Sequence, residues 1–485
     1  MKVLHHFAAL LVTGTKLLAR APRQAHLHCH SRQRKLNTTL NGYIQSNSPS
    51  RALVLLQRLQ RKGSSPIDSF TLLLMLKACA KTSSAIEGKQ IHALIVNLGF
   101  EPIIFIQTAL ISMYSATGSL EDAHHVFNEI FTRNVVCWSA LISAYVDNGR
   151  PNKALELFRE MQMENVEPDG VTITIALSAC ADLGALDMGE WIHGYIGRKE
   201  GFKADLYLKN ALINMYAKCG DIKTARRLFD KANQRDVMTW TSMIVGHAVH
   251  GQAAEALKLF AEMKDKANAI ENNKNNDYHR YNDGMVDFVI PNEVTFIGVL
   301  MACSHGGLVE EGLQHLESMS KDYHLKPRIC HYGCMVDLFC RAGLVKEAYT
   351  FTRNMPMRPN AVVWRTLLSA CSLRGNVELG AHIKRRLLEL EPDFAGDCVT
   401  ISNMYATAGL WLEKSIARKQ IKRRRDPGCS SIEVESRVHE FVAADRKHPL
   451  KREIYSVLEG LVRNLRASGY APNSSNLADD EIAEE

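Results

Sequence analysis

Two stretches of the chain, 102 residues apart, carry the same pattern: "TALISMYSATGSLEDAHHVFNE" at residues 108–129 and "NALINMYAKCGDIKTARRLFDK" at residues 210–231. The glycine that they share recurs at Gly118, Gly149, Gly184, Gly220, Gly251, Gly307, Gly343, Gly375 and Gly409. The intervals are 31, 35, 36, 31, 56, 36, 32 and 34 residues, so all but one lie between 31 and 36. A period of this length predicts stacked supersecondary units, that is, a solenoid.

Each unit of the repeat contains the residues of a helical hairpin. Before the glycine, apolar residues recur at helical spacing, as in Leu212, Met215 and Tyr216. The glycine suits the left-handed position that ends a helix. A small residue follows five positions later and should let the two helices approach closely, and in four units a phenylalanine comes four positions after that. These residues are Ala123, Ala154, Gly189, Ala225, Ala256, Gly312, Ala348 and Gly380, with Phe127, Phe158, Phe229 and Phe260. Because one hairpin cannot bury its apolar face alone, the repeat predicts an all-α superhelix.

The N-terminus has a different composition from the repeats. Residues 1–35 contain seven Lys or Arg, and the first acidic residue of the chain is Asp68. Arg-rich leaders without acidic residues are typical of organellar transit peptides, which we predict over residues 1–32. The alternative is a basic, disordered arm that contacts nucleic acid. Lys and Arg exceed Asp and Glu by seven over all 485 residues, which permits a polyanionic partner.

The cysteines predict neither disulfides nor a metal site. Most of the twelve lie in apolar, helix-patterned segments, as small buried residues of a reducing compartment do. "HLHCH" (residues 26–30) and "CHYGC" (residues 330–334) contain metal-ligand residue types, but we expect no metal at either and no cofactor elsewhere. No apolar run approaches the roughly 18 residues that a transmembrane helix needs, so we expect no membrane contact.

The lengths of the units identify the class of solenoid. With the closing Asp or Asn taken as the last residue, units span 104–134, 135–169 and 170–205, then 206–236, 237–292 and 293–328, then 329–360, after units at 33–68 and 69–103. Tetratricopeptide repeats instead keep a period of about 34 residues, and a peptide-binding scaffold of that kind is one alternative. The short, standard, long rhythm resembles the plant pentatricopeptide repeat proteins of the PLS subclass. The resemblance implies a right-handed α-solenoid of nine repeats over residues 33–360.

The rest of the chain resembles the C-terminal motifs of the same subclass. Residues 361–394 and 395–428 are similar to its two E motifs, and residues 429–485 to its E+ extension, here with an acidic tail that we expect to be disordered. The second E motif is short, and Ser431 stands where the family has tryptophan. In unit 237–292, an Asn-rich insertion at about 266–288 is predicted to be a disordered loop; it is alternatively translated intron from a faulty gene model.

The resemblance implies that the fifth and last residues of a unit read one RNA base. These pairs are Asn37 with Asp68, Thr108 with Asn134, Ser139 with Asp169, Thr174 with Asp205, Asn210 with Asp236, and Thr241 with Asn292. The second residues, Phe105, Val136, Val171, Tyr207, Met238 and Val294, are expected to lie between consecutive bases. On the residues alone, short polar side chains able to bond an unstacked base are equally well explained as helix caps.

The resemblance also implies a function. Zinc deaminases need His-x-Glu and Cys-x-x-Cys, and no Cys-x-x-Cys occurs in this sequence, so we do not expect an enzyme. The chain is predicted to be a monomeric site-recognition factor for organellar C-to-U RNA editing. It would recruit a DYW-type cytidine deaminase in trans and bind multiple organellar RNA editing factors, in the mitochondrion rather than the chloroplast. A factor for RNA splicing or stability is the alternative.

Overall fold

The computed structural model describes residues 23–46, 48–62, 67–199, 205–232, 234–274, 289–392, 394–421, 429–434, 437–442 and 450–470. Most of the predicted leader, residues 1–22, and the acidic tail from residue 471 lie outside the described residues. Within them, no helix is long and apolar enough to cross a membrane.

Helices follow one another in pairs along most of the chain. In order they are α1 (Arg23–Gln45), α2 (Pro49–Lys62), α3 (Ser69–Thr82), α4 (Ala85–Asn97), α5 (Ile104–Ala116), α6 (Leu120–Asn128), α7 (Val135–Asp147), α8 (Pro151–Met163), α9 (Gly170–Leu183), α10 (Leu186–Arg198), α11 (Leu206–Cys219), α12 (Ile222–Lys231), α13 (Val237–Val249), α14 (Ala253–Lys274), α15 (Glu293–Gly306), α16 (Val309–Lys321), α17 (Ile329–Arg341), α18 (Val345–Arg353), α19 (Ala361–Leu373), α20 (Val377–Leu390), α21 (Ala395–Thr407) and α22 (Trp411–Lys419). These pairs confirm the predicted all-α solenoid of helical hairpins.

The segment after the pairs contains two short strands, which the sequence pattern did not predict. Strands β1 (Cys429–Val434) and β2 (Arg437–Val442) pair antiparallel, with Cys429 opposite Val442 and Val434 opposite Arg437. Helix α23 (Lys451–Ala467) follows and has no buried residue.

Two helices extend into segments that the sequence pattern assigned otherwise. Helix α1 begins at Arg23, ten residues before the predicted start of the first repeat at residue 33, so it includes the last residues of the predicted leader. Helix α14 continues to Lys274, so the insertion predicted as a disordered loop from about residue 266 begins as helix. This part of the insertion, "KANAIENNK", lacks Gly and Pro, and nothing in it stops a helix that has already formed. Residues 275–288 lie outside the described residues.

The recurring glycine ends the first helix of each pair, as predicted. All nine glycines have positive φ, from 67° at Gly307 and Gly375 to 95° at Gly220. Only glycine adopts this conformation at little steric cost, which explains why the sequence repeats it. In unit 69–103, Ser83 occupies the equivalent place with φ 50°.

The helices fall into two compact blocks, one ending at Leu183 and one beginning at Gly184. Within the first block α3, α5, α7 and α9 pack in succession, and within the second block α11, α13, α15, α17, α19 and α21 do the same. Within each block, neighbouring first helices therefore lie side by side, and the second helices pack against first helices. The first helices form a continuous layer within each block.

The small residue of each unit makes room for the following unit. A Cβ at Gly189 in α10 would overlap the sulfur of Met215 in α11, and one at Gly380 in α20 would overlap the side chain of Met404 in α21. The phenylalanines also contact the following unit: the Phe229 and Trp240 rings meet edge to face at 4.9 Å. These positions therefore set how closely one hairpin stacks on the next.

Candidate nucleic-acid interface

The second residue of six units is apolar yet exposed. The six residues are between 45% and 77% exposed: Phe105, Val136, Val171, Tyr207, Met238 and Val294. They lie in the first turns of α5, α7, α9, α11, α13 and α15. A large apolar side chain repeated at one exposed position of successive first helices is a surface suited to flat, stackable ligands.

Beside these residues, the fifth residue of one unit meets the last residue of the same unit. In unit 206–236 the Asn210 amide nitrogen donates to both carboxylate oxygens of Asp236, at 3.0 and 3.2 Å. The hydroxyl of Thr239, the third residue of the next unit, lies 2.6 Å from Asn210 Oδ1 and 2.8 Å from Asp236 Oδ1. Asp236 Oδ1 also accepts the Thr239 backbone N–H at 2.9 Å, which caps α13. Three side chains thus form one closed network.

One other unit repeats this network, and in two more the threonine hydroxyl alone links the fifth residue to the last one. Asn37 Nδ2 lies 3.5 Å from both oxygens of Asp68, and the Thr71 hydroxyl bridges Asn37 Oδ1 at 2.8 Å and Asp68 Oδ1 at 2.6 Å. In unit 135–169 the hydroxyls of Ser139 and Thr172 are 2.7 Å apart, and Thr172 donates to Asp169 at 2.7 Å. In unit 237–292 the Thr241 and Thr295 hydroxyls are 2.8 Å apart, and Thr295 donates to Asn292 at 3.0 Å.

The predicted pair Thr108 and Asn134 is not joined in this way. The Thr108 hydroxyl donates to carbonyls of its own helix, Ile104 O at 3.1 Å and Phe105 O at 3.2 Å. Asn134 accepts the backbone N–H of Cys137, the third residue of the next unit, at 3.1 Å. A thiol stands here where four other units have a threonine hydroxyl.

Thr174 lies in the first block and Asp205 in the second. Thr174 donates to Gly170 O at 2.8 Å within α9, and Asp205 caps α11 by accepting the Leu208 N–H at 2.9 Å.

Every predicted last residue caps the following helix, so the capping interpretation of these Asp and Asn residues is correct. Capping also fixes what each residue presents to a ligand. In Asn292, Oδ1 accepts the Thr295 N–H at 3.0 Å, which leaves the amide NH₂ to meet a ligand as a donor. In Asp236 the carboxylate keeps acceptor capacity beyond the bonds to Thr239 and Asn210. The cap therefore makes Asn a donor and Asp an acceptor.

Burial separates the two members of four of the six pairs. Asn37, Ser139, Asn210 and Thr241 are at most 9% exposed, whereas the last residues are half-buried or exposed. The sequence pattern shows no difference in accessibility between the two members of a pair. In the structure the last residue is the more accessible one. The third-residue threonines, Thr71, Thr172, Thr239 and Thr295, are fully buried and were missed. The signal for them was visible as Asp-x-x-Thr or Asn-x-x-Thr across the unit boundary.

The equivalent place in the first E motif is filled by an ion pair. Arg365, its fifth residue, donates to Asp397 through Nε at 2.9 Å and Nη2 at 3.1 Å, and also bonds Glu391. The guanidinium lies 3.7 Å from the Phe394 ring centroid. Asp397 is 5% exposed and stands at the third position of the next unit, where the network of the repeats has threonine. The charged groups of this site therefore bond to one another.

The "CHYGC" segment lies within α17, with Cys330 exposed and His331 buried. Both ring nitrogens of the buried His331 are occupied, Nδ1 by the Arg328 N–H at 3.0 Å and Nε2 by Glu293 O at 2.9 Å. Burial raises the pKa of the Cys334 thiol to about 11, which disfavours the thiolate that a metal ion would need. Among the residues that the structure describes, no group of three or more potential ligands could hold a metal ion.

Comparison with known proteins agrees with this architecture. The model of the PPR repeat matches residues 108–135, 208–237, 238–267 and 330–358, the model of the PPR repeat family matches residues 133–182, and that of the E motif matches residues 374–433. A pentatricopeptide repeat-containing protein of Arabidopsis thaliana is 37% identical over all of this chain, which spans 80% of that relative. The chain belongs to the pentatricopeptide repeat family.

Two other members from Arabidopsis thaliana are named for organelles. A chloroplastic/mitochondrial one is 40% identical over 87% of this chain and 65% of its own length, and the chloroplastic protein CRR2 is 38% identical over 84% and 60%. The chain thus spans about six tenths of the length of these two relatives. Among solved structures, the pentatricopeptide repeat protein PPR10 from maize, in complex with an 18-nt psaJ RNA element, aligns with a TM-score of 0.52 at 17% identity. The alignment covers 80% of this chain and 60% of that one, and it shows the fold alone.

Proposed function

We propose that this pentatricopeptide repeat protein binds single-stranded RNA along its first helices, with one base facing each polar pair. The observation that carries the proposal is the repeated juxtaposition of an exposed apolar second residue with a hydrogen-bonded pair, as at Tyr207, Asn210 and Asp236. Unstacked bases are recognised by stacking on such side chains and by hydrogen bonds to their Watson–Crick edges. The mild basic charge of the chain favours a polyanionic ligand.

The last residue of the pair distinguishes bases by the proton on the Watson–Crick edge. U and G carry an N–H at N3 and N1, respectively, whereas C and A carry an acceptor nitrogen there. The acceptor carboxylates of Asp68, Asp169 and Asp236 therefore match U or G. The donor amides of Asn134 and Asn292 match A or C.

The fifth residue distinguishes bases by reach. Asn37 and Asn210 are longer than serine or threonine and suit the smaller pyrimidines, so Asn37/Asp68 and Asn210/Asp236 select U over C. Ser139/Asp169 selects G, and Thr108/Asn134 and Thr241/Asn292 select A.

Thr174/Asp205 selects G more weakly. With protein N to C along RNA 5′ to 3′, the target is Y-n-A-G-(G?)-Y-A-n-n. The closed ion pair of Arg365 and Asp397 leaves no such pair in the first E motif, so base reading ends before residue 361.

The cellular role that fits best is recognition of C-to-U editing sites in organellar RNA. The E-motif match and the organellar names of the relatives support it. In this role the chain performs no chemistry. A DYW-type cytidine deaminase acts in trans, docked through the E motifs and the segment after them, and multiple organellar RNA editing factors contact units with poor coding pairs. The Arg- and Leu-rich leader favours the mitochondrion over the chloroplast.

The proposal is tested at two levels. Purified protein should bind an RNA of the target sequence more tightly than RNAs in which the G facing Ser139/Asp169 is changed, and equal binding to all of them would refute base reading. In plants lacking the protein, sequencing of organellar transcripts should show loss of editing at a C downstream of a matching sequence. Intact editing with unspliced introns would refute the editing role and support a splicing factor.

A further inference from the structure

Four buried threonines connect the polar pairs, and none belongs to a pair itself. Thr71, Thr172, Thr239 and Thr295, which we call the relay threonines, are each the third residue of the unit that follows a pair. Each lies within 2.8 Å of the fifth residue of the preceding unit and within 3.0 Å of its last residue. We propose that the relay threonines are positioning residues that determine base selectivity by fixing the orientation of the fifth residue. This inference rests on the proposed RNA-binding function.

The donor and acceptor inventory of the Asn210 network shows what the hydroxyl does. An asparagine amide has two ends of similar shape, and which end points where must be set by its partners. Asp236 accepts from Nδ2, and the Thr239 hydroxyl, placed 2.6 Å from Oδ1, can donate to it. The amide is thereby held in one orientation from both ends. Because Thr239 is fully buried, water cannot take over this role when the hydroxyl is lost.

Where the fifth residue is a serine or threonine, the relay threonine connects its hydroxyl to the last residue through a chain of hydrogen bonds. The Thr241 hydroxyl can donate to Thr295 Oγ1 while Thr295 donates to Asn292 Oδ1. The chain of bonds ties the position of Thr241 to the amide that faces the base. Ser139, Thr172 and Asp169 are linked in the same order in the first block, but the Ser139 hydroxyl also donates to Val135 O of its own helix at 2.7 Å.

The protein contains its own comparison. Thr108/Asn134 and Thr241/Asn292 are pairs of the same two residue types, but only the second has a relay threonine. At the first pair, Cys137 occupies that position, and the Thr108 hydroxyl bonds backbone carbonyls of α5 instead. The inference therefore predicts that one pair of a kind discriminates better than the other, which the identities of the pair residues alone do not predict.

The first experiment uses Thr239→Val, which keeps the shape and removes the hydroxyl, with Thr239→Ser as the matched control that keeps it. Dissociation constants are measured for target RNAs with U or G facing Asn210/Asp236, because the fifth residue decides between these two bases. Thr239→Val should lower the U-over-G ratio about tenfold, the size expected for one buried hydrogen bond. Thr239→Ser should restore it, and selectivity for G at Ser139/Asp169 should not change.

A purely structural role for Thr239 would weaken binding to both RNAs equally and leave the ratio intact, which would overturn the inference. If the wild-type protein shows no selectivity at this base, the proposed function fails and takes the inference with it. If the wild type discriminates between the two RNAs and Thr239→Val does so equally well, the inference about the relay threonines is refuted and the proposed function is not.

The second experiment adds a hydroxyl group instead of removing one. It therefore does not depend on whether the fold tolerates the loss of a buried hydrogen bond. With A or C facing each pair, the wild type should discriminate more strongly at Thr241/Asn292 than at Thr108/Asn134. Cys137→Thr should raise the A-over-C ratio at Thr108/Asn134 severalfold, while Cys137→Val, of the same shape, should not. Equal wild-type ratios at the two pairs, or equal effects of the two substitutions, would contradict the relay.

Discussion

The ion pair between Arg365 and Asp397 should contribute to the stability of the E motifs. Asp397→Asn keeps the shape of a side chain that is 5% exposed and removes the charge that Arg365 bonds twice. Removing one partner of a fully buried ion pair costs about 3–5 kcal/mol. Arg365 keeps about a quarter of its side-chain exposure and its second partner, Glu391, so the lower end applies. We expect a loss of about 3 kcal/mol in the free energy of unfolding of this region.

The loss should be local, because repeats contact only their neighbours. Hydrogen exchange of amides in α19 and α21, read beside a urea titration, would measure it. Glu391→Gln is the control: its side chain is 48% exposed, and an exposed ion pair contributes at most about 1 kcal/mol. Protection in α19 and α21 that is equal in Asp397→Asn and the wild type would refute the reasoning.

Two further predictions concern packing and pH. Gly189→Ala should destabilise by about 1–3 kcal/mol, because its Cβ would overlap Met215, whereas Gly42→Ala meets no atom within 4 Å and should be neutral or stabilising in thermal denaturation. Burial lowers the pKa of His92, whose Nδ1 lies 2.8 Å from the Tyr114 hydroxyl. Because the folded state favours the neutral imidazole, His92 contributes its full stability at pH values above 6.5, the ordinary pKa of histidine. That stability is lost as the pH falls, and the urea midpoint should drop less between pH 7 and pH 5 in His92→Gln; equal drops would contradict this assignment.

The repeat architecture could be predicted from the sequence because each repeat is specified by residues that lie close together in the chain. A glycine such as Gly220 must have positive φ in every unit, and a cap such as Asp236 must precede every helix, so both are repeated at a readable period. The helical extension of α14 to Lys274 was not predictable in this way, because the residues beyond the repeat follow no period and a helix continues until something stops it.

The networks around the pairs were harder to predict, because they join residues from consecutive units. Thr239 is only three residues from Asp236 but 29 from Asn210, and its link to Asn210 appears only once the hairpins stack. The closed site at Arg365 depends likewise on Asp397, 32 residues away. The low exposure of the fifth residues also follows from stacking, which the sequence pattern does not report.

The central claim is that the fifth and last residues of a unit choose the base. Ser139→Asn leaves Asp169 and every other repeat unchanged, and the affinities of this variant and the wild type can be compared on four RNAs that differ only at the base facing this pair. The account predicts that the wild type prefers G and that the variant prefers a pyrimidine, U above C. A variant that still prefers G, or that loses affinity for all four RNAs equally, would contradict it.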